Sequence, residues 1–411
     1  MSSATTARPR AVHQVLATLG YGDAIGNEVL GITRVLREAG YESEIFVETA
    51  DPRLEDLTLD YRDLIDASHP DNVLIHHFSI GSRASRIAYA LPDRMALVYH
   101  NITPPEYFVG VHKDLVRFCY SGRRELQAYV DRCDLALGDS EFNRQELERF
   151  GFERTGVLPV VPSFTHLDEP PDRTLVSEFD DERVNLLFVG RVIPNKRIED
   201  VIRFYHAYRA KYQPRSRLLL VGAWGGFESY LASLHHLIAD LRIPDVHLLG
   251  HVSNAELTAC YDVVDLFLSA SEHEGFCVPL IEAFSKRVPV VAYAAAAVPA
   301  TMDGAGVLYE SKDPRHVASI LHTVLSNPTL EEEIVREQDA ALDRLLARDF
   351  RGTLLEAVDR VVSTPRQPRP QVRDDFWDRF AEWERLEELR LYRPSAYKAL
   401  PFAPAEGSEN P

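Results

Sequence analysis

The stretch Leu266-Phe267-Leu268-Ser269-Ala270-Ser271-Glu272-His273-Glu274-Gly275-Phe276-Cys277-Val278-Pro279-Leu280-Ile281-Glu282-Ala283 decides how the chain is read. Leu266 to Ser269 is a short apolar run that fits a buried strand, Gly275 marks a turn, and a helix is predicted from near Val278. The strand delivers Glu274 into the turn, and the helix lifts Glu282 within its second turn. One loop thereby offers two carboxylates and the free N–H groups of a helix N-terminus. In so acidic a chain the glutamate spacing by itself says little. The context between strand and helix is what gives it weight.

Working outward, Val184 to Val189, Arg217 to Val221, Val246 to Leu249 and Pro289 to Tyr293 are further apolar runs separated by amphipathic stretches. In one of these, Ile198, Val201, Ile202, Tyr205 and Tyr208 share a helical face. An earlier series holds Val12 to Leu19, Glu44 to Val47, Asn72 to His76, Leu97 to His100 and Leu135 to Gly138, with Glu106 to Arg132 predicted helical. Strands alternating with helices predict an α/β fold built on parallel sheets.

Two more strand-to-helix turns carry candidate chemistry. Gly190-Arg191-Val192-Ile193-Pro194-Asn195-Lys196-Arg197 sets cations at the end of a parallel strand, where open α/β sheets bind ligands and where cations suit a diphosphate. Taken alone, Arg191 and Lys196 read equally well as solvated loop charges. Gly20-Tyr21-Gly22-Asp23-Ala24-Ile25-Gly26 allows close backbone approach to a phosphate or sugar. Its last gap is one residue too long for the dinucleotide pattern, although Glu48 imitates the ribose-binding acid of such a site.

Composition narrows the possibilities. In 411 residues, 45 Lys+Arg against 63 Asp+Glu give a net charge of −18. That balance excludes a broad grip on nucleic acid or anionic lipid. Val288 to Met302, the longest nearly uncharged run, is broken by Pro289 and Pro299 and is too short to span a bilayer. No transmembrane segment is expected. Met1 to Arg10 has no apolar segment of the signal-peptide kind, so a cytoplasmic location is expected. Cys119, Cys133, Cys260 and Cys277 lack any metal or disulfide spacing, and the pairs His76-His77 and His235-His236 lack ligand partners, so no metal site is expected.

The ordered set of the glycine turn, Gly190-Arg191 with Lys196, and Glu274-Gly275-Phe276 with Glu282 resembles the family 4 retaining glycosyltransferases of GT-B fold, group 1 of the glycosyl transferases. The resemblance runs from about Val12 to Val362 and includes Asp245 to Ser253, similar to that family's strand beside the nucleotide base, and Gly306 to Tyr309. It implies two Rossmann-like domains facing across a cleft. It also implies that Arg191 and Lys196 grip the donor diphosphate and Glu282 takes the ribose hydroxyls. Glu274 would hold the donor sugar beside Gly275 and the amides of Phe276, Cys277 and Val278, and Gly22 would close over the phosphates. His100, in Val98-Tyr99-His100-Asn101, is similar to the histidine placed next to the reacting sugar. Departures stand at Cys277 and Arg197, where the family often has Gly, and at Pro299-Ala300, where it often has Pro-Glu.

The expected organisation is 1–180 as acceptor domain with linker, 181–365 as nucleotide-sugar donor domain, and 366–411 as proline-rich spacer, a helix with Phe376, Phe380, Trp383, Leu386 and Leu389 crossing back, and a disordered tail. The expected activity is retaining, metal-independent transfer of a hexose from a UDP- or GDP-sugar to a saccharide or lipid-linked saccharide, in bacterial-type polysaccharide or glycoconjugate synthesis. The nucleotide sugar is substrate, and no cofactor or nucleic acid is expected. Lys113, Arg117, Arg123 and Arg124 leave contact with the inner face of the membrane open, against the reading of a solvated helix face. The alternatives are a non-enzymatic nucleotide-sugar binder, a GT-B sugar-nucleotide epimerase, and an NAD-dependent oxidoreductase using Gly20, Gly22 and Gly26.

Overall fold

The computed structural model describes residues 9–160, 164–367, 385–386 and 389–400. The chain forms two compact units. One runs to Val160 and resumes at Asp349, and the other ends at Arg348.

The first unit is a seven-stranded sheet of β1 (Val12–Leu19), β2 (Ile45–Ala50), β3 (Leu59–Asp60), β4 (Val73–Phe78), β5 (Arg94–Tyr99), β6 (Leu135–Gly138) and β7 (Thr155–Val157), in the order β3-β2-β1-β4-β5-β6-β7. All pairs are parallel. Helices cover both faces, so the central strands are buried almost throughout, with His13 and Gln14 on β1 and His76 and His77 on β4 among their polar residues. Val12, Val73, Ile75, Ala96, Val98, Leu135 and Leu137 form one core with Ile32 and Leu36 of the helix Ala24–Glu38. That core also receives Leu354, Val358 and Val361 from the helix Phe350–Ser363. Each such side chain contributes about 1.5–3 kcal/mol on burial, which is why this late helix belongs to the first unit.

The second unit is a six-stranded parallel sheet of β8 (Val184–Val189), β9 (Ser216–Val221), β10 (Val246–Gly250), β11 (Leu266–Ser269), β12 (Val290–Tyr293) and β13 (Val307–Tyr309), in the order β10-β9-β8-β11-β12-β13. Counted within the unit this order is 3-2-1-4-5-6, the doubly wound Rossmann arrangement, whose strand order reverses between β8 and β11. The loops at the carboxyl ends of those two strands flank the crevice where such sheets bind ligands. They are the loops that hold Arg191 and Glu274.

Several expectations are refined. The stretch Glu106 to Arg132 is not one helix: a 3-10 turn, Pro105–Phe108, and left-handed Gly110 precede the helix Lys113–Ala128, which His112 caps. The expected linker includes the helix Arg173–Phe179, which packs on the helix Asn254–Asp262, and Asp172 N donates to Ala255 O at 2.9 Å. The units therefore divide about twenty residues before the expected boundary at 180, and the return at Asp349 comes before the expected one at 366. Phe376, Phe380, Trp383, most of the proline spacer and the tail lie outside the described residues. Among the described residues no helix is long and apolar enough to cross a membrane.

Candidate active site

In the second unit, β8 ends at Val189 and the chain turns through Gly190 into a 3-10 turn, Pro194–Lys196, and then the helix Ile198–Lys211. The turn sits hard against the next strand end: a Cβ on Gly222 would lie 1.9 Å from Gly190 O. A side chain there would push the loop away, so glycine is required by space. Asn195 ties this loop to the one after β11, donating from Nδ2 to His273 O at 3.0 Å, while its own carbonyl accepts from Glu272 N at 2.9 Å.

These ties bring Lys196 and Glu274 into a direct ion pair, both largely buried. Burial works against the Lys196 charge, but the Glu274 carboxylate overrides it and holds the ammonium above the ordinary lysine range. Cys277 lies in the same environment, and burial together with Glu274 pushes its thiol well up. Arg191, by contrast, is exposed, stands over the Phe227 ring at 5.7 Å, and makes no ion pair among the described residues. It is the cation of this loop left open to an incoming anion. Arg197 is committed elsewhere, with Glu199, Asp200 and Glu272 at 3.1, 3.3 and 3.4 Å.

Beyond Glu274, the amides of Gly275, Phe276, Cys277 and Val278 have no acceptor among the described hydrogen bonds. They open the helix Val278–Ser285, so free donors and helix dipole favour an anion at this turn. Glu282, within that helix, is buried, and both its oxygens are engaged: His166 Nε2 stands 2.8 Å from Oε1, and Tyr261 Oη donates to Oε2 at 2.9 Å. Arg191, Lys196, Glu274 and Glu282 are the residues that the sequence singles out, whereas His166 and Tyr261 are not. His166 lies in what read as a linker, and Tyr261 on a helix with no motif. Both positions that depart from the family's glycine, Arg197 (φ 53°) and Cys277 (φ 75°), have left-handed backbone. Glycine is favoured there because a Cβ is penalised.

In the first unit, Gly20 and Gly26 are needed to close the turn: a Cβ on Gly26 would lie 2.1 Å from Gly20 O, and Gly22 has φ 75°. Asp23 caps the helix Ala24–Glu38, accepting from Gly26 N at 2.6 Å. This carboxylate occupies the helix N-terminus where a dinucleotide pyrophosphate would sit, which counts against the oxidoreductase reading. Glu48 is likewise engaged, by Arg83 at 3.0 Å and Ala84 N at 2.7 Å.

His100 follows β5 and is buried. Its Nε2 lies 2.9 Å from His77 Nδ1, and its Nδ1 faces Asp139 and Glu28 at 3.6 and 3.8 Å. Burial alone would lower its pKa, but Asp139 and Glu28 raise it above the ordinary value. His77, stacked on it with centroids 5.1 Å apart, is held well below by burial and by His100. Arg123, expected on a solvated face, points inward instead to Glu146 and Ile102 O, each at 2.8 Å.

A doubly wound parallel sheet in each unit is the fold of the GT-B class, and cations, carboxylates and free amides stand at the switch point of the second sheet. Residues 175–339 match the family described as Glycosyl transferases group 1. Similar proteins include the O-antigen chain mannosyltransferase B of Escherichia coli, 26% identical over 63% of this chain and 67% of that one. The alpha-monoglucosyldiacylglycerol synthase of Acholeplasma laidlawii is 25% identical over 63% and 68%. Anabaena HepE, solved in complex with UDP-glucose, superposes with a TM-score of 0.65 at 16% identity, covering 86% of this chain and 99% of that one. Residues 175–339 thus resemble the group 1 glycosyltransferases, and the chain shares the GT-B fold of the solved structures.

Proposed function

We propose that the protein is a retaining hexosyltransferase that takes its sugar from a UDP- or GDP-sugar and needs no metal. The observation that carries the reading is the convergence of exposed Arg191, the Lys196–Glu274 pair, the four free amides from Gly275 to Val278 and buried Glu282 on one end of the second sheet. Breaking the sugar–phosphate bond leaves negative charge on the departing diphosphate and positive charge on the anomeric carbon. Cations and amides fixed beforehand at the phosphate stabilise that charge without reorganising. Arg191 and Lys196 take the diphosphate, Glu274 the sugar hydroxyls, and Glu282 the ribose hydroxyls, oriented by Tyr261 and His166. Attack from the face the diphosphate leaves retains configuration, with the leaving phosphate helping to take the acceptor proton.

The acceptor is a saccharide or lipid-linked saccharide held by the first unit, where Gly22 and His100 lie. The name of the O-antigen chain mannosyltransferase supports a saccharide acceptor, and HepE, solved with UDP-glucose, supports a UDP-sugar donor. The test is transfer from UDP- and GDP-hexoses in the presence of a chelator, with the product's anomeric configuration read by proton NMR. Retained configuration and undiminished turnover support the reading. An inverted product, or turnover that needs added metal, overturns it. Acceptor-independent release of UDP with an epimerised sugar would transfer the case to an epimerase.

A further inference from the structure

The proton inventory around His100 can be worked out from its neighbours. Thr33 Oγ1 donates to Val29 O at 2.9 Å, so its oxygen is left as an acceptor. Gln14 Nε2 lies 2.7 Å from that oxygen and 3.1 Å from Val29 O. Two acceptors on one side fix the amide with its NH2 toward them, because the flipped amide would set oxygen against oxygen. Gln14 Oε1 therefore faces His77 Nε2 at 2.8 Å, and that nitrogen must carry the proton.

His77 is buried on β4 with no carboxylate acting on it among the described residues, which disfavours a charge. Neutral and protonated at Nε2, it has a lone pair on Nδ1 and so accepts from His100 Nε2–H at 2.9 Å. The other nitrogen of His100 faces Asp139, from the loop after β6, and Glu28, from the helix after the glycine turn. A lone pair aimed at the Asp139 carboxylate would be repelled, so Nδ1 carries a proton as well, and Glu28, whose carboxyl burial pushes up to about 7, adds its charge as pH rises. Among the described residues Glu28 Oε1 has no hydrogen-bond partner, and His100 is the group that offsets this buried carboxyl. The remaining charged groups acting here are Asp23 in the glycine turn, which favours the imidazolium, and the His76 ring on β4, which belongs to the same field.

We propose that Gln14, His77 and Glu28 are positioning residues that hold His100 doubly protonated, so that it serves the reaction as a fixed imidazolium and not as the base that receives the acceptor's proton. The role in the reaction rests on the reading of His100 as a site residue given above. The protonation pattern does not depend on that reading.

The test uses the full chain with 15N-labelled histidine, following imidazole nitrogen signals between roughly pH 5 and 9, with His100→Asn to assign the resonance. The expected spectrum shows His77 as a single neutral Nε2–H tautomer throughout. His100 is expected to carry protons on both nitrogens and to lose one only above the ordinary histidine range. Glu28→Gln lowers that midpoint by about one unit or more, a tenfold change in proton affinity, and moves the alkaline limb of the transfer rate down with it. Gln14→Met releases His77 into a mixture of tautomers. The proposal is overturned by a His100 that is singly protonated at neutral pH, by an Nδ1–H or charged His77, or by a midpoint unmoved in Glu28→Gln. The wild-type spectrum decides even where a variant does not fold. An inactive protein with the expected spectrum would count against the transferase reading alone.

Discussion

Cys277 offers a stability test whose sign follows from backbone geometry. It precedes the helix Val278–Ser285 at φ 75°, ψ 66°, a conformation in which a Cβ crowds the following carbonyl. That crowding costs about 1–2 kcal/mol for a non-glycine residue. Glycine removes it, while losing about 0.5–1 kcal/mol through the greater freedom of its unfolded chain. Comparing Cys277→Gly with Cys277→Ala separates the backbone effect from loss of the thiol, since alanine lacks the sulfur but keeps the Cβ. Glycine should be more stable than alanine by about 1 kcal/mol. For a unit of this size that is about 2–4 °C in melting temperature, measurable by calorimetry or urea unfolding of the full chain. A glycine variant equal to or less stable than the alanine variant would refute the strain argument. Arg197→Gly is the contrasting case: it relieves a similar φ of 53° but forfeits the ion pairs to Glu199, Asp200 and Glu272, so little net gain is expected.

Burial pushes Glu28 to about 7, partly offset by His100 and raised further by Asp139. The folded state thus binds this proton more tightly than the unfolded chain. Its effect on stability is absent below the ordinary value of 4.5 and grows unfavourable as pH rises toward 7. Glu28→Gln should remove that decline, with a gain at pH 8 of at most about 3 kcal/mol; equal pH slopes in chemical denaturation would contradict it. Lys196→Met leaves the buried Glu274 carboxylate without its partner and should cost about 3–5 kcal/mol, most of it recovered by adding Glu274→Gln; the double-mutant cycle measures the coupling. Gly222→Ala would drive a Cβ into Gly190 O and should lower both melting temperature and nucleotide-sugar affinity, whereas wild-type values in both would show that the loop yields freely. His166→Ala should weaken nucleotide affinity by about tenfold or less and Tyr261→Phe by less, and because both hold the Glu282 carboxylate the double variant should depart from additivity, checked by calorimetric titration.

Much of the architecture could be read from local pattern, because strands buried on both faces are apolar runs. Val12–Leu19, Leu135–Gly138, Val184–Val189 and Leu266–Ser269 have the bounds their sequences predict. The two-residue β3 and the short β7, Thr-Gly-Val, were not legible because neither contains an apolar run long enough to register. The division between units was misplaced for a different reason. Polar, proline-bearing residues around Asp172 resemble a linker, yet Asp172 caps a helix that is docked by Leu175 and Phe179. Amphipathicity shows that the helix Phe350–Ser363 needs a core, but sequence does not say which one.

The site shows the same split. Groups attached to strand-end turns, Arg191, Lys196 and Glu274, could be found because glycine and charge punctuate the ends of apolar runs. Gln14, Glu28, His77 and Asp139 are polar residues within strands, helices and loops that carry no motif. Only the parallel register, which sets Gln14 beside Ile75 on β4, brings them around His100.

The central claim is that the end of the second sheet binds a nucleoside-diphosphate sugar through Arg191. Calorimetric titration of the full chain with UDP- and GDP-hexoses, repeated on Arg191→Ala, tests it most directly. The account predicts saturable binding of at least one donor, worth about 2.7 kcal/mol of stability at 100 times its Kd, and a loss of about tenfold or more in affinity when the guanidinium is removed. Absence of binding by every donor, or an Arg191→Ala variant that binds as tightly as the wild type, would contradict it.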